Sequence, residues 1–381
     1  MSLVDQFAAY SAWRSRLAAH VGELQTWLSQ NELSDAQSDL RLTQLLERLR
    51  EDRLNVAFVA EFSRGKSELI NAIFFADYGN RMLPSSAGRT TMCPTELMFD
   101  ANKQPSIELL PIQSRASNSS VSEYKRFPDE WTKVALNIES PDAMQDALRH
   151  VSETTRVTPE EAARLGFEVG EGQIELYSVG DDGLVEVPRW RHAMINFPHP
   201  LLKQGLVILD TPGLNAIGAE PELTLSQLPN AHAILFILAA DTGVTQSDLA
   251  VWRDHVNGAH TRQKGRIAVL NKIDGLWDGI RSEAEIEQEI TRQVGSTAEV
   301  LELDPAHIFP VSAQKGLLAK INRDTELLSR SRLLALEQAL TAELIPAKQD
   351  IVCDNTESEA ADLIIRTRSL LQCSKNKMGL K

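Results

Sequence analysis

Residues 55–60, Asn-Val-Ala-Phe-Val-Ala, form a short, mostly apolar run that passes without a break into Glu61-Phe62-Ser63-Arg64-Gly65-Lys66-Ser67. Apolar residues then recur at helical spacing to Phe75. A buried strand, a glycine-containing loop and a helix in that order confine the chain to a small set of α/β folds. Apart from its first position, where Ala60 stands in place of glycine, the loop fits G-x-x-x-x-G-K-[ST] in the setting that gives the pattern meaning. Gly65 lets successive N–H groups turn toward a phosphate. Lys66 brings positive charge to the β- and γ-phosphates, Ser67 offers a hydroxyl to Mg2+, and the helix N-terminus adds its dipole. The Ala60 Cβ is expected to oppose the backbone angles that glycine would adopt there.

Three further patterns follow apolar runs in chain order. Asp210-Thr-Pro-Gly213 comes after the run 206–209, which places a carboxylate where a magnesium-holding aspartate belongs and a bare backbone N–H, that of Gly213, near the γ-phosphate. Asn271-Lys272-Ile-Asp274 comes after 267–270. An aspartate there accepts two N–H groups from a guanine edge that adenine does not have, so an unpaired carboxylate penalises ATP. Ser312-Ala313 comes after the run ending at Val311 and offers a backbone N–H to the guanine oxygen. Four such signals in order, each at a strand end, point to guanine nucleotide binding. Between the first two lies Arg89-Thr-Thr-Met-Cys-Pro-Thr95, where a threonine is expected to close over Mg2+ and the γ-phosphate. Thr91 is the choice for that role and Thr90 the alternative.

Apolar runs at 55–60, 205–209, 231–240, 266–270 and 307–311 alternate with helical patterns at 66–75, 247–257 and 282–302. This is the signature of a mostly parallel, doubly wound sheet. A stretch from 95 to 198 is read as an elaboration within the same domain. It has helices expected at 141–154 and 159–166 and strand-like pieces at 107–110 and 173–179. Ahead of the sheet, Leu3, Phe7, Tyr10, Leu17, Val21, Leu24 and Leu28 make a helical stripe flanked by Trp13 and Trp27. Leu40, Leu45, Leu46 and Leu49 mark a second helix. Past residue 325 the chain turns helical again, with Ala361, Leu363, Ile364, Ile365 and Leu371 as the apolar members of a last helix. The layout expected is therefore N-terminal helices at 1–52, a nucleotide-binding domain at 53–325 and C-terminal helices at 326–381. The two helical ends are expected to bundle with each other.

The chain of 381 residues carries 39 basic and 53 acidic side chains, a formal charge of −14. A protein that grips nucleic acid by phosphate neutralisation leans the other way, so no nucleic acid partner is expected. The longest apolar run, 233–240, is far short of the ~18–20 residues of a membrane span. The three cysteines form neither a C-x-x-C pair nor a dense framework, which fits a reducing, cytoplasmic setting.

The loop 61–67, the segment Leu83-Pro-Ser-Ser86 with Arg89–Thr95, and Gly205-Leu-Val-Ile-Leu-Asp-Thr-Pro-Gly-Leu214 together resemble the bacterial dynamin-like GTPases. The likeness covers roughly residues 54–320. It implies a phosphate-loop GTPase domain whose neck is built from both flanking segments. The resemblance further implies nucleotide-dependent homodimerisation and remodelling or tethering of membranes. Lipid would be met by a region absent from this chain, which is read as a truncated form, cytoplasmic or peripheral at the inner face of the membrane. For the site, the loop residues Glu61, Phe62, Ser63, Arg64, Gly65, Lys66 and Ser67 contact the nucleotide together with Asn271, Lys272, Asp274, Ser312 and Ala313. Ser67, Thr91 and Asp210 hold Mg2+, and Ser63, Lys66, Thr91 and Gly213 serve catalysis. Leu214 stands where Ras-like enzymes carry a water-orienting glutamine. A monovalent cation, K+ or Na+, held by Ser63 is the substitute the resemblance implies. Arg64 is left open between an arginine finger and a solvated side chain without a catalytic part. The competing reading is a regulatory GTPase acting on ribosome, RNA or a protein partner. It calls for an appended basic domain, which this acidic chain does not offer.

Overall fold

Strand β1 (Leu54–Ala60) is buried along its length except at Asn55, as its apolar sequence requires. Among the described residues of the computed structural model, ten more strands follow. They are β2 (Thr95–Met98), β3 (Ser106–Pro111), β4 (Thr132–Ala135), β5 (Thr154–Val157), β6 (Val185–Pro188), β7 (Trp190–Asn196), β8 (Leu206–Asp210), β9 (Ala233–Ala239), β10 (Arg266–Asn271) and β11 (Ile308–Pro310). The structure describes residues 3–31, 36–50, 53–61, 63–83, 93–117, 119–167, 179–211, 231–257, 265–277 and 281–340, with scattered helical positions from 350 to 369.

Nine strands form one sheet in the order β11-β10-β9-β1-β8-β2-β7-β3-β4. From β11 to β1 every pairing is parallel. β9 lies inside this part and is buried at every residue, which is why Ala-Ile-Leu-Phe-Ile-Leu-Ala carries no polar alternation. Val56 to Ala60 align with Ala233 to Ile237, and Arg266 to Asn271 align with Ile234 to Ala239. This shared register brings the C-terminal ends of β1, β9 and β10 to one edge of the sheet. The loops that follow them therefore gather there, as in other open α/β sheets.

The stretch 95–198 extends this sheet. β2 runs antiparallel to β8 and parallel to β7, while β3 pairs antiparallel with both β7 and β4. The helices expected there are Pro141–Arg149 and Pro159–Arg164, each with proline in its first turn and a Ser140 or Thr158 side chain capping it. β5 and β6 form a separate two-stranded ribbon. The strand expected at 173–179 lies outside the described residues except for Val179, which bridges Val185. On the insert side the buried Glu96 meets Lys125 at 2.8 Å and His192 at 3.1 Å. Burial alone would raise its pKa, but the Lys125 ammonium and the hydrogen bond with His192 hold it well below the usual carboxylate range.

The chain divides into two compact units, Met1–Leu54 with Pro346–Lys381, and Asn55–Ile345. In the first, the helices Leu3–Gln30 and Ala36–Arg50 share a core of Val21, Leu28, Leu42, Leu45, Leu46 and Leu49, with Trp13, Leu17 and Leu24 against it. Gln25 Nε2 ties the pair by donating to Asp39 Oδ1 at 2.9 Å and Thr43 Oγ1 at 3.0 Å. The side chains of Leu3, Phe7 and Tyr10 lie outside the described residues. Leu40, expected in the stripe, is 46% exposed. The buried set 42, 45, 46 and 49 follows i, i+3, i+4, i+7, and position 40 falls on the opposite side of that helix. Ile364 and Ile365, also expected on an apolar face, are 50% and 61% exposed.

The residues just past 325 group with the sheet unit. The helices Thr325–Ser331 and Leu333–Gln338 belong with the sheet unit, where Leu333, Leu336 and Leu340 are fully buried.

Candidate nucleotide-binding site

The loop after β1 makes two left-handed turns, at Ser63 (φ +64°) and at Gly65 (φ +87°). Ala60 takes no part in them. It completes β1 in register with Ile237 and is buried, so its Cβ opposes nothing. Gly65 is the cap of the helix Lys66–Ile70 and accepts from the N–H of Leu69 at 3.0 Å. A Cβ at Gly65 would overlap the side-chain amide of Asn271, so this position admits glycine for both its φ and its close neighbour. Phe62 lies outside the described residues, Ser63 is exposed and Ser67 stands in the first turn of the helix.

Lys66 is buried, with its ammonium donating to Asp210 Oδ1 and to the carbonyl of Thr211. Burial raises the pKa of Asp210 and Lys66 opposes the rise. Thr211 Oγ1 donates to the Phe58 carbonyl at 2.9 Å, which fixes the exit of β8 against β1. Gly213 and Leu214 fall outside the described residues, as do Thr90 and Thr91. Buried Asn71 holds residues 82 and 83: its Oδ1 accepts from the N–H of Met82 at 3.1 Å and of Leu83 at 2.8 Å, and its Nδ2 donates to the Leu83 carbonyl.

On the other side of the loop, Asn271 links three segments. It ends β10, donates through Nδ2 to the Arg64 carbonyl at 2.9 Å, and accepts through Oδ1 from Ala313 N–H at 3.0 Å. Asp274 Oδ1 accepts from Ser312 Oγ at 2.7 Å, and the N–H of Ser312 donates to the Ser331 carbonyl at 2.9 Å. Lys272 is left-handed at φ +64°, with its ammonium 3.7 Å from Asp241. The structure thus brings the first loop, Asn271, Lys272, Asp274, Ser312 and Ala313 to one sheet edge, together with Asp210.

Sequence reasoning missed the surroundings of Arg64. Its guanidinium is neither solvated nor free. It pairs with Glu61 at 2.8 Å and Asp248 at 2.9 Å and also reaches the hydroxyls of Thr242 and Thr245. The signal available was Thr245-x-x-Asp248, a capping box that the structure confirms at the start of the helix Gln246–Val251.

Ser67 and Asp210 fit a magnesium ion. Both are hard oxygen donors, Ser67 in the first turn of the helix after the loop and Asp210 at the end of β8. An ammonium already rests on the Asp210 carboxylate, so this buried position accepts a cation.

Residues 56–273 match the model of the dynamin family. The chain is 23% identical over 279 residues to a bacterial dynamin-like protein of Nostoc punctiforme, covering 70% of this chain and 32% of that protein. It is 34% identical over 128 residues to a probable transmembrane GTPase, FZO-like and chloroplastic, of Arabidopsis thaliana, covering 33% of this chain and 13% of that one. A solved structure described as an oligomerised bacterial dynamin pair aligns with 97% of this chain and 49% of its own at 16% identity, with a TM-score of 0.46. The chain therefore spans about a third or less of the length of these curated relatives. With the family model matching more than half of its residues, across β1 to β10 and the loops that gather at their ends, the chain belongs to the dynamin family of GTPases.

Proposed function

We propose that the site binds GTP and GDP together with magnesium and hydrolyses GTP. The observation that carries this reading is the double attachment of Asn271, to the Arg64 carbonyl and to Ala313 N–H. It sets the spacing between the loop that would cradle phosphates and Asp274, which would read the base. Ser312 orients the Asp274 carboxylate, so its two oxygens are aimed before a guanine edge arrives. Lys66 has a flexible stem, and its ammonium can be shared between Asp210 and phosphate oxygens. Magnesium, when bound, neutralises charge on the phosphates. Ser67 and Asp210 would hold it, with Thr91 as the third candidate.

The chemistry of hydrolysis needs a source of positive charge, because Leu214 has no polar atom with which to orient water. We assign that part to a monovalent cation held by Ser63 and to the pairing of two copies across their nucleotides. The exposed, left-handed position of Ser63 supports this. Nucleotide-dependent pairing would be coupled to membrane remodelling or tethering. The helices near both chain ends would act as the neck, and their grouping into one unit supports that. Among the described residues no helix is long and apolar enough to cross a membrane.

Displacement of a labelled GDP by GTP and by ATP tests the nucleotide reading. GTP is expected to compete far better than ATP, and Lys66→Ala to lose most binding through loss of a charge-assisted contact. Equal competition by the two triphosphates overturns it. Flotation with anionic liposomes, set beside RNA pull-down on the same protein, tests the membrane reading.

A further inference from the structure

Arg64 sits between two left-handed residues, Ser63 and Gly65. Glycine adopts that region freely and serine does not, so the loop needs outside contacts to keep its shape. The backbone of Arg64 is held from the β10 side, where its carbonyl accepts from Asn271. Its side chain is held from the β9 side. Nη1 donates to Thr242 Oγ1 at 2.7 Å in the turn after β9, and Nη2 donates to Thr245 Oγ1 at 3.2 Å and Asp248 Oδ2 at 2.9 Å. The phosphate loop is thereby held at two points, by the segment that follows β9, the neighbour of β1 in the sheet, and by the end of β10, the strand beyond it.

Charge adds a second constraint. Asp248 is fully buried, and Oδ2 also accepts from the N–H of Thr245 at 3.0 Å. Glu61, 8% exposed, meets the same Nη2 at 2.8 Å. Two carboxylates therefore lie against the loop meant for polyanionic phosphates, and they share one guanidinium, which offsets part of their charge. Swinging Arg64 onto a γ-phosphate would strand both carboxylates in a desolvated place, which is costly.

We infer that Arg64 is a positioning residue of the nucleotide site and not an arginine finger. It acts through Asp248 to hold the phosphate loop in shape and to offset carboxylate charge beside the phosphates. The inference rests on the GTP-binding reading above, and the test separates the two. Wild type, Arg64→Ala, Arg64→Lys, Asp248→Asn and the Arg64→Ala/Asp248→Asn pair are compared by GDP affinity, saturated single-turnover rate and melting temperature.

Arg64→Ala is expected to weaken GDP by roughly 10- to 100-fold, the size of a lost charged hydrogen bond, and to lose less in the saturated rate. Asp248→Asn is expected to weaken GDP in the same direction, and the double variant to lose less than the two singles combined. Arg64→Lys keeps the charge and loses the fork, so it should fall between wild type and Arg64→Ala. If Arg64→Ala does not fold, Arg64→Lys carries the same comparison. Intact affinity with a rate collapse confined to the Arg64 variants would make Arg64 a finger and overturn the inference. Lower melting temperatures with unchanged affinity would overturn it as well. A wild-type protein that binds no guanine nucleotide overturns the GTP reading together with it.

Discussion

At the scale of single residues, the site is a set of close approaches that leave little latitude in side-chain choice. Asn271 presses against Gly65, and Ser312 Oγ faces Asp274. Asp274→Asn replaces an acceptor with an amide and is expected to shift preference from guanosine toward xanthosine nucleotides. Parallel titrations with GDP and XDP read this directly, and an unchanged preference for GDP would remove Asp274 from base recognition. His199 gives a pH prediction. Its pKa is lowered to about 4 by burial and then by Lys320, with Asp77 opposing. Its Nδ1 accepts from Leu201 N–H at 3.3 Å, a bond only an unprotonated nitrogen accepts. Unfolded histidine titrates near ~6.5, so between that pH and about 4 the unfolded chain takes up a proton that the folded chain refuses. The stability is fully present above the unfolded value and is lost as pH falls through the folded one. His199→Asn keeps a capping oxygen and removes the titration. Its melting temperature should therefore fall less between pH 7 and pH 4.5 than that of wild type, whereas equal falls would discount His199.

At the scale of elements, packing decides which of several similar residues matter. In the helix Ala36–Arg50, Leu42 is 1% exposed and Leu40 is 46% exposed. Leu42→Ala is expected to cost about 2–5 kcal/mol and Leu40→Ala within about 0.5 kcal/mol, by denaturant melts followed at the helical signal. Similar costs would mean that the two helices pack through another face. The helix Ala313–Asn322 gives the opposite kind of test. An added Cβ at Gly316 would meet Leu333 Cδ2 at 2.8 Å and Leu333 Cβ at 3.1 Å. Gly316→Ala gains roughly 1 kcal/mol in helix propensity and should lose about 1–3 kcal/mol to overpacking. The expected net result is a lower melting temperature, and a rise would show that Leu333 can yield. The same contact shows why the helices at 325–338 stay with the sheet.

At the scale of the whole molecule, the loops after β1 and β10 and residues Ser312 and Ala313 gather at one sheet edge, and Leu214 has no polar side-chain atom with which to orient water. If pairing of copies completes the chemistry, GTP turnover per molecule should rise with protein concentration and depend on K+ or Na+. A dilution series in potassium, sodium and a bulky organic cation measures both. Flat specific activity in all three would exclude paired, cation-assisted hydrolysis. Much of the fold was legible beforehand. The strand–loop–helix at 55–75 and the carboxylate or amide ending β8 and β10 appear where the local pattern puts them, because apolar runs and turn residues act through adjacent backbone. The extension of the sheet was not legible, since β2, β7, β3 and β4 pair across gaps in sequence that periodicity does not bridge.

The sequence by itself determined the class of site. Gly65, Lys66 and Ser67 sit on one loop, Asn271 and Asp274 on another, and each follows a strand apolar enough to be buried at the centre of a sheet. Local composition suffices for this, because strand burial and loop chemistry are set by residues a few positions apart. Only the tertiary structure decided what Arg64 does. Its carboxylate partner Asp248 lies 184 residues away along the chain. It is brought beside the loop by the parallel register of β1 and β9. A guanidinium looks the same in sequence whether it meets water, a phosphate or a buried acid. The difference lies in desolvation and pairing across space, which are properties of the packed fold.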